Sequence, residues 1–247
     1  MQQAVENPQE WGIATGHYAR VIEWDGVFYP ARAKNLKKDQ SYFLWSLSNE
    51  QLAYSLFPVG DTDKEQIRKE AAQAGIPTAT KKDSQGVCFL GHIDIPEFLS
   101  HYVDLVPGSV LDTDGAVIGT HRSALVYTLG QRHGFTLTNH DTERSHHYVV
   151  DRDIEKNTIT VSKDQMKTAP TEKIILSDIT LRTPLQVGYT VDAQFRYRQT
   201  PFPITIIEVD DTTLIIKTNG DVEKPAAGQS CVIYRNSLCL GGGTIVT

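Results

Sequence analysis

The sequence predicts a three-part fold: an incomplete α/β module, a small and mostly β central module, and a C-terminal β-barrel. Three observations predict it. An apolar strand pattern ends in a glycine turn over residues 12–20, with only eleven residues before it. Short apolar runs separated by turn residues occupy positions 95–153, and short strand patterns continue from about residue 158 to the end.

The first module begins with the segment GIATGHYAR at residues 12–20, which is typical of a buried strand that runs into a turn. A parallel sheet needs several strand and helix units to cover both of its faces. Eleven residues cannot supply them. We therefore expect the rest of this sheet to come from a missing N-terminal region or from another chain.

A helix is predicted in the same module. Thr62 and Glu65 have the spacing of a capping box, residues 64–74 favour helix, and Gly75 and Pro77 are stop signals.

The two later modules are predicted from short strands. In the central one, turn residues lie at 107–108, 114–115 and Gly130. Further strands are predicted at 158–162, 174–181, 189–197, 204–209, 213–218, 229–234 and 243–246. Their number and their short connections favour a closed barrel, in which the glycine run at 241–243 forms a tight corner.

The composition is that of a globular protein, with 40% hydrophobic and 22% charged residues. No apolar run is long enough for a membrane helix, and the first residues lack a signal pattern, so we expect a cytoplasmic protein. The formal net charge of -6 argues against a general coating of nucleic acid. It does not exclude RNA binding through a local basic strip.

The chain has three cysteines and no Cys-x-x-Cys pair, which fits neither a disulfide scaffold nor a zinc site. Cys88 lies in DSQGVCFLG at residues 83–91, where flexible neighbours and nearby Lys81 and Lys82 favour a reactive thiol. A small buried side chain is the alternative there. Cys231 and Cys239 lie in strand-like apolar runs, which predicts structural roles.

Two segments have the character of polar contact surfaces. Residues 32–40 carry four basic side chains and are followed by Tyr42 and Phe43, a combination that suits an RNA backbone with stacked bases. In residues 195–199, strand alternation would place the two arginines on one face and the tyrosine on the other. Solvated surface charge is the alternative for both. The histidines lack metal-ligand spacing, so no metal site is predicted.

Seven ordered motifs together resemble the bacterial tRNA-specific 2-thiouridylases. They are ATGHYAR (14–20), KDQSYFL (38–44), DSQGVCFLG (83–91), LGQR (129–132), RYRQ (196–199), GQS (228–230) and CLGGG (239–243). The resemblance covers essentially the whole chain. It implies the C-terminal part of an ATP-pyrophosphatase domain (residues 1–92), a central domain (93–157) and a C-terminal β-barrel (158–247).

The resemblance also implies an activity. In that family, ATP activates the C2 carbonyl of the wobble uridine of certain tRNAs by adenylation, and a cysteine persulfide then supplies sulfur from a sulfur-donor protein. Cys88 matches the persulfide-bearing cysteine and Gly16 matches a backbone contact to ATP, with Mg²⁺ expected in the complete enzyme. The positions that match tRNA contacts are His17, Lys38, Asp39, Gln40, Arg196, Tyr197 and Gln229.

The sequence departs from the family pattern at its beginning. The pyrophosphate loop Ser-Gly-Gly-x-Asp-Ser and the first catalytic cysteine precede the Thr-Gly-His-Tyr segment in the family, and neither is in this sequence. Without the second thiol, the disulfide that completes sulfur release cannot form. We expect this chain alone not to thiolate tRNA, and an N-terminal companion chain would restore activity.

Two other functions are considered. A noncatalytic tRNA-binding remnant would keep the central domain and the barrel as an RNA-recognition module. A cysteine hydrolase is disfavoured because no histidine with Asn or Asp pairs with Cys88 in a recognisable signature.

Overall fold

A computed structural model describes residues 12–80, 95–138, 146–164, 167–168 and 172–246. Its chain forms two compact units, one from residues 1–81 with 168–247 and the other from residues 82–167. Within the described ranges, no helix combines the length and the apolar character needed to cross a membrane.

The N-terminal segment contains short strands and two α-helices. They are β1 (Ile13–Ala14), β2 (Ala19–Trp24), β3 (Val27–Arg32), α1 (Asn49–Ala53), β4 (Ser55–Leu56) and α2 (Lys64–Gln73), with 3-10 helices at Ser41–Leu44 and Pro77–Thr80. Strand β1 pairs in parallel with β4, which confirms a strand before the glycine turn, but the prediction that this strand is buried is wrong. The side chains of Ile13 and Leu56 on this two-stranded sheet are exposed.

The helix predicted at residues 64–74 is confirmed, but its start is not the predicted capping box. Asp63 is the N-cap of α2, and no side-chain hydrogen bond caps this end. Gly75, at a φ of +70°, follows the last turn as predicted. The capping box belongs instead to α1, where Ser48 Oγ accepts from the Gln51 amide and the Gln51 side chain accepts from the Ser48 amide.

The second unit is built around a five-stranded sheet, which confirms the mostly β central module. Its elements are α3 (Ile95–Ser100), β5 (Gly108–Leu111), β6 (Val117–His121), β7 (Phe135–Leu137), β8 (Tyr148–Asp153) and β9 (Thr158–Ser162), in the sheet order β7-β6-β5-β9-β8. Val110, Ile159 and Tyr127 are buried in its core. In the LGQR motif, Gln131 orders the turn by accepting from the Thr128 amide and donating to the His133 carbonyl.

The C-terminal segment forms a closed six-stranded barrel. The strands of this segment are β10 (Lys167–Thr168), β11 (Lys173–Leu181), β12 (Thr190–Gln194), β13 (Phe202–Val209), β14 (Leu214–Thr218), β15 (Val222–Glu223), β16 (Ser230–Arg235) and β17 (Leu238–Ile245), of which β10 and β15 lie outside the barrel sheet. The order β11-β14-β13-β12-β16-β17 closes because β17 also pairs with β11. Alternate apolar residues such as Ile204, Ile206 and Ile216 fill the interior.

The glycine run does not form the predicted corner, because Gly241 to Gly243 lie inside β17. A Cβ at Gly241, where φ is +137°, would lie 1.9 Å from the Thr180 carbonyl oxygen. A Cβ at Gly242 would lie 2.3 Å from the Cys231 carbonyl oxygen. Close approach of neighbouring strands, and not a change of chain direction, requires these glycines.

The N-terminal segment continues the barrel sheet. Strands β2 and β3 form a hairpin whose turn, Asp25-Gly26, has positive φ at both residues. Strand β3 pairs with β17 at Ala31 and Leu238, and the Arg32 amide donates to the Ser237 carbonyl over 2.8 Å. These bonds join the chain's two ends in one compact unit.

Candidate nucleic-acid interface

The candidate interface starts at the turn after β1, where Gln40 holds the backbone of Tyr18. The Tyr18 amide donates to Gln40 Oε1 over 3.0 Å, and the Gln40 amide donates to the Tyr18 carbonyl over 2.8 Å. His17 Nδ1 lies 2.8 Å from Thr15 Oγ1, and its ring meets Phe57 edge to face. The bonds between Tyr18 and Gln40 thereby hold the segment that carries Gly16 and His17 against the basic segment, residues 32–40.

Asp39 organises the basic segment through its carboxylate. Oδ1 accepts from the Ala33 amide at 2.9 Å and from the Ser41 amide at 3.2 Å, and Oδ2 accepts from Ser41 Oγ at 2.9 Å. A carboxylate with three donors is occupied by its own loop. Asp39, like Gln40, therefore positions its neighbours. The same loop is also closed by the Lys38 amide, which donates to the Asn35 carbonyl.

Tyr42 brings three of the predicted segments together. Its hydroxyl is shared between the Ser230 carbonyl at 2.8 Å and the Phe195 carbonyl at 3.2 Å. Burial raises the pKa of Tyr42 to about 12, with a smaller contribution from nearby Cys231, so the hydroxyl stays protonated and can donate. Gln229, which is exposed, and Arg196 thus lie directly beside residues that Tyr42 binds.

An aromatic pair, the exposed Phe43 and the half-buried Tyr197, lies next to this junction. The ring centroids of Phe43 and Tyr197 are 4.6 Å apart, and the Arg198 guanidinium carbon lies 5.2 Å from the Tyr197 ring. Phe43 is 52% exposed, which is unusual for a side chain of this size beside other aromatic rings. An exposed ring flanked by basic residues can stack on an unpaired base.

The predicted alternation of residues 195–199 on a strand is wrong. Strand β12 ends at Gln194, and a turn follows in which Arg198 has a φ of +64°. Gln199 holds this turn, since its side chain accepts from the Phe195 amide at 2.7 Å and its carbonyl accepts from Gln194 Nε2. The turn is a tertiary feature that the local pattern of arginines and tyrosine does not indicate.

Arg196 forms a two-point ion pair with Glu223, through Nη1 and Oε1 at 2.8 Å and through Nη2 and Oε2. The Arg196 side chain is nevertheless about half exposed. Sequence reasoning missed Glu223, because it lies 27 positions away and no local signal connects the two residues. It also missed Tyr42 as the residue that joins the segments.

The structure describes two of the three cysteines that the sequence analysis considered. Cys88 lies outside the residues that the structure describes. Cys231 and Cys239 are both fully buried free thiols, as predicted. Burial raises the pKa of Cys239 to about 11 and raises that of Cys231 further.

Gly16, the predicted ATP contact, has open space beside its backbone, since an added Cβ would meet no atom within 4 Å. A nucleotide could approach this backbone closely, although no pyrophosphate loop accompanies it in the sequence. For metals, the described part of the chain brings together no group of three or more His, Cys, Asp or Glu side chains that could hold an ion.

Comparison with known proteins gives consecutive matches along the chain. Residues 1–92 match a family model described as tRNA methyl transferase HUP domain, residues 96–163 match the tRNA methyl transferase PRC-barrel domain, and residues 171–245 match the aminomethyltransferase beta-barrel domain.

Curated relatives carry the name tRNA-specific 2-thiouridylase MnmA. The protein of Klebsiella pneumoniae subsp. pneumoniae is 40% identical over 238 residues, and that of Escherichia coli strain K12 / DH10B is 40% identical over 244 residues. MnmA 2 of Aliarcobacter butzleri is 36% identical over 242 residues. Each match covers 94% of this chain, but the chain spans only 64% to 66% of the length of these relatives.

Proposed function

Because this chain belongs to the family of tRNA-specific 2-thiouridylases, we propose that it takes part in ATP-dependent transfer of sulfur from a Cys88 persulfide to C2 of the wobble uridine of tRNA. The observation that carries the proposal is the junction at Tyr42. It gathers the predicted tRNA-contact segments beside the exposed Phe43 ring and the half-buried Tyr197 ring.

The proposed roles at the RNA surface follow from the chemistry of each side chain and, for Asp39 and Gln40, from the hydrogen bonds that it already makes. Lys38 and Arg196 bind backbone phosphates, while His17, Tyr197 and Gln229 contact sugar and base edges or faces. Asp39 and Gln40 act through the loop that they hold, since their side-chain acceptors already have donors within the protein. Phosphate contacts of this kind fix the register of the RNA.

Sulfur transfer from Cys88 needs a second thiol. The terminal sulfur of the persulfide attacks C2 of the adenylated uridine, and the C2 oxygen leaves with AMP. Another thiolate then attacks the Cys88 sulfur, which breaks the S–S bond, releases the thiolated uridine and leaves a disulfide. Cys231 and Cys239 are fully buried in the barrel and cannot take this role. We propose that the second thiol comes from a region that precedes this sequence or from an N-terminal companion chain.

The same region would supply the pyrophosphate loop, because the 247 residues contain none. When bound, ATP with Mg²⁺ converts the uridine oxygen into a leaving group. Gly16 would contribute a backbone contact at one side of the nucleotide. A sulfur-donor protein loads Cys88, and the reaction takes place in the cytoplasm, where tRNA and ATP are both present. Alone, the chain would be inactive.

A reconstitution assay tests this proposal. The chain is mixed with the N-terminal region of a relative, ATP, Mg²⁺, a persulfide donor and tRNA, and 2-thiouridine is measured by mass spectrometry of nucleosides. We expect product only when both parts are present and none with Cys88→Ser. The proposal fails if the two parts associate stably and still give no product, or if Cys88→Ser retains activity.

A second candidate function is tRNA binding without catalysis. It is favoured by the location of the candidate interface, whose described residues all lie in the unit formed by residues 1–81 and 168–247. In cells that depend on the protein, Cys88→Ser would then leave the phenotype unchanged and Arg196→Ala would abolish it. Loss of function in Cys88→Ser would instead support sulfur transfer and exclude binding without catalysis.

A further inference from the structure

A cavity of about 710 Å³ lies where the β2–β3 hairpin meets one end of the barrel. Its walls come from the hairpin, from the turn between β16 and β17, and from the segment that follows β11. The wall includes Ile22, Trp24, Asp25, Val27, Arg182 and Arg235. The volume is within the range of sites for small organic ligands.

Arg182, in the wall of this cavity, has unused hydrogen-bond donors. Its Nη2 donates to the Trp45 carbonyl at 2.9 Å and to the Leu47 carbonyl at 2.5 Å, which anchors the side chain. Its Nε and Nη1 are buried and have no acceptor among the described residues. These two nitrogens are closed off from the cavity, but the guanidinium has no ion pair with a described carboxylate, so its positive charge in the wall favours an anion there.

The remaining charges of the wall also favour an anion. Arg235 is exposed and has no ion pair with any residue that the structure describes. Asp25 is the one carboxylate among the cavity residues, against two guanidinium groups. The described wall therefore carries a net positive charge.

The apolar part of the wall suits a planar ring. Trp24 is 68% exposed, and Ile22 and Val27 lie on the same hairpin. The indole is therefore open to a stacking partner that enters the cavity. Nucleobases stack well on such rings.

We propose that this cavity binds a phosphorylated nucleoside, with the base against Trp24 and the phosphate on the exposed Arg235 guanidinium, where the charge of Arg182 also attracts it. The ligand is either a nucleotide of an RNA strand or a free mononucleotide. Strand β16 runs from Ser230, at the Tyr42 junction, to Arg235, at the cavity, so about 17 Å of strand separates the two sites. The cavity is thus distinct from the candidate interface, and binding there does not depend on sulfur transfer.

The test is equilibrium dialysis of the full chain with labelled uridine 5′-monophosphate and, separately, with hexauridylate. Uridine without phosphate is the ligand control. The variants are Trp24→Ala and Arg235→Gln, which leave the hydrogen bonds of Arg182 intact, and Lys217→Gln on the exposed face of β14 is the matched control. A uridine ligand is chosen to avoid occupation of any adenine-nucleotide site.

We expect saturable binding that weakens about tenfold or more in both cavity variants, stays unchanged in Lys217→Gln, and is about tenfold weaker for uridine. Binding of hexauridylate with this same sensitivity to the variants identifies an RNA nucleotide as the ligand. Binding of the monophosphate alone identifies a free nucleotide. If neither ligand binds, or if binding is equal in the wild type and in both cavity variants, the proposal is wrong.

Discussion

At the scale of single residues, the candidate interface combines side chains that hold the loop with side chains that remain available. Asp39 and Gln40 are committed to backbone amides, whereas Phe43 keeps half of its surface exposed. Arg196 lies between these classes, because Glu223 binds its guanidinium group while the side chain stays about half exposed. An RNA phosphate must compete with Glu223 or share the guanidinium group with it.

This competition gives a prediction for tRNA binding. Arg196→Ala should weaken binding and reduce the slope of log K against log salt by about one unit, because one phosphate contact is lost. Glu223→Gln should strengthen binding, since it removes a carboxylate that competes with phosphate. Filter binding at several salt concentrations measures both effects, with Lys217→Gln as control. If Glu223→Gln weakens binding as much as Arg196→Ala does, the ion pair instead supports the fold.

The three cysteines give a second prediction at this scale. With a pKa of about 11, Cys239 is only about 0.1% thiolate at pH 8, and burial raises the pKa of Cys231 further. Iodoacetamide at pH 8 should therefore label the native protein at Cys88 alone, and all three cysteines in guanidinium chloride. Peptide mass spectrometry reads out the sites. Native labelling of Cys231 at the rate of Cys88 would contradict the structure.

At the scale of elements, β17 is the most constrained strand of the barrel. It pairs with β16, with β11 and with β3, and its glycines lie against the backbone of two of these neighbours. Side chains at these positions would push the strands apart. Glycine at 241 and 242 therefore allows β17 to approach both neighbouring strands closely enough to close the barrel.

We expect Gly242→Ala to lower the free energy of unfolding by about 1–3 kcal/mol or more, because its Cβ would lie 2.3 Å from the Cys231 carbonyl oxygen. Gly220→Ala is the matched control, since no atom lies within 4 Å of its added Cβ, and it should change stability by less than about 0.5 kcal/mol. Urea unfolding of both variants measures the difference. Equal effects would show that close packing does not explain the glycine run.

The elements differ in how well the sequence predicts them. Strands β13 and β14 follow from alternating apolar residues, because their core is on one side of each strand. The turn at residues 195–199 does not follow, because it depends on the side chain of Gln199 and not on periodicity. The interface residues could be predicted as a set from ordered motifs. Their meeting at Tyr42 could not, since its partners lie 153 and 188 positions away.

At the scale of the whole molecule, the two ends of the chain form one unit. Tyr29 of β3 is buried in the barrel core, and Tyr42 and Trp45 pack on Val232 and Tyr234 of β16. The candidate interface and the cavity both need these contacts, because each is lined from both segments. The barrel is therefore only part of a folding unit.

This arrangement predicts that residues 168–247 expressed alone are much less stable than the same residues in the full chain. Removal of residues 1–81 exposes the core around Tyr29 and removes the partner of β17 at Leu238. Hydrogen exchange of β17 amides measures the effect, and addition of residues 12–81 as a separate peptide should restore protection. Equal protection in the isolated barrel and in the full chain would contradict this view.

The pairing of β3 with β17 also has a consequence for synthesis. More than 200 residues separate Ala31 from Leu238, so β3 leaves the ribosome long before its partner exists. Until then, Tyr29 and Trp45 lack the surfaces that bury them, and the nascent segment presents apolar rings and an unpaired strand edge. Assembly of the RNA-contact surface is thus a late event of high contact order. During translation, this segment is a predicted client for chaperones that protect exposed apolar chain.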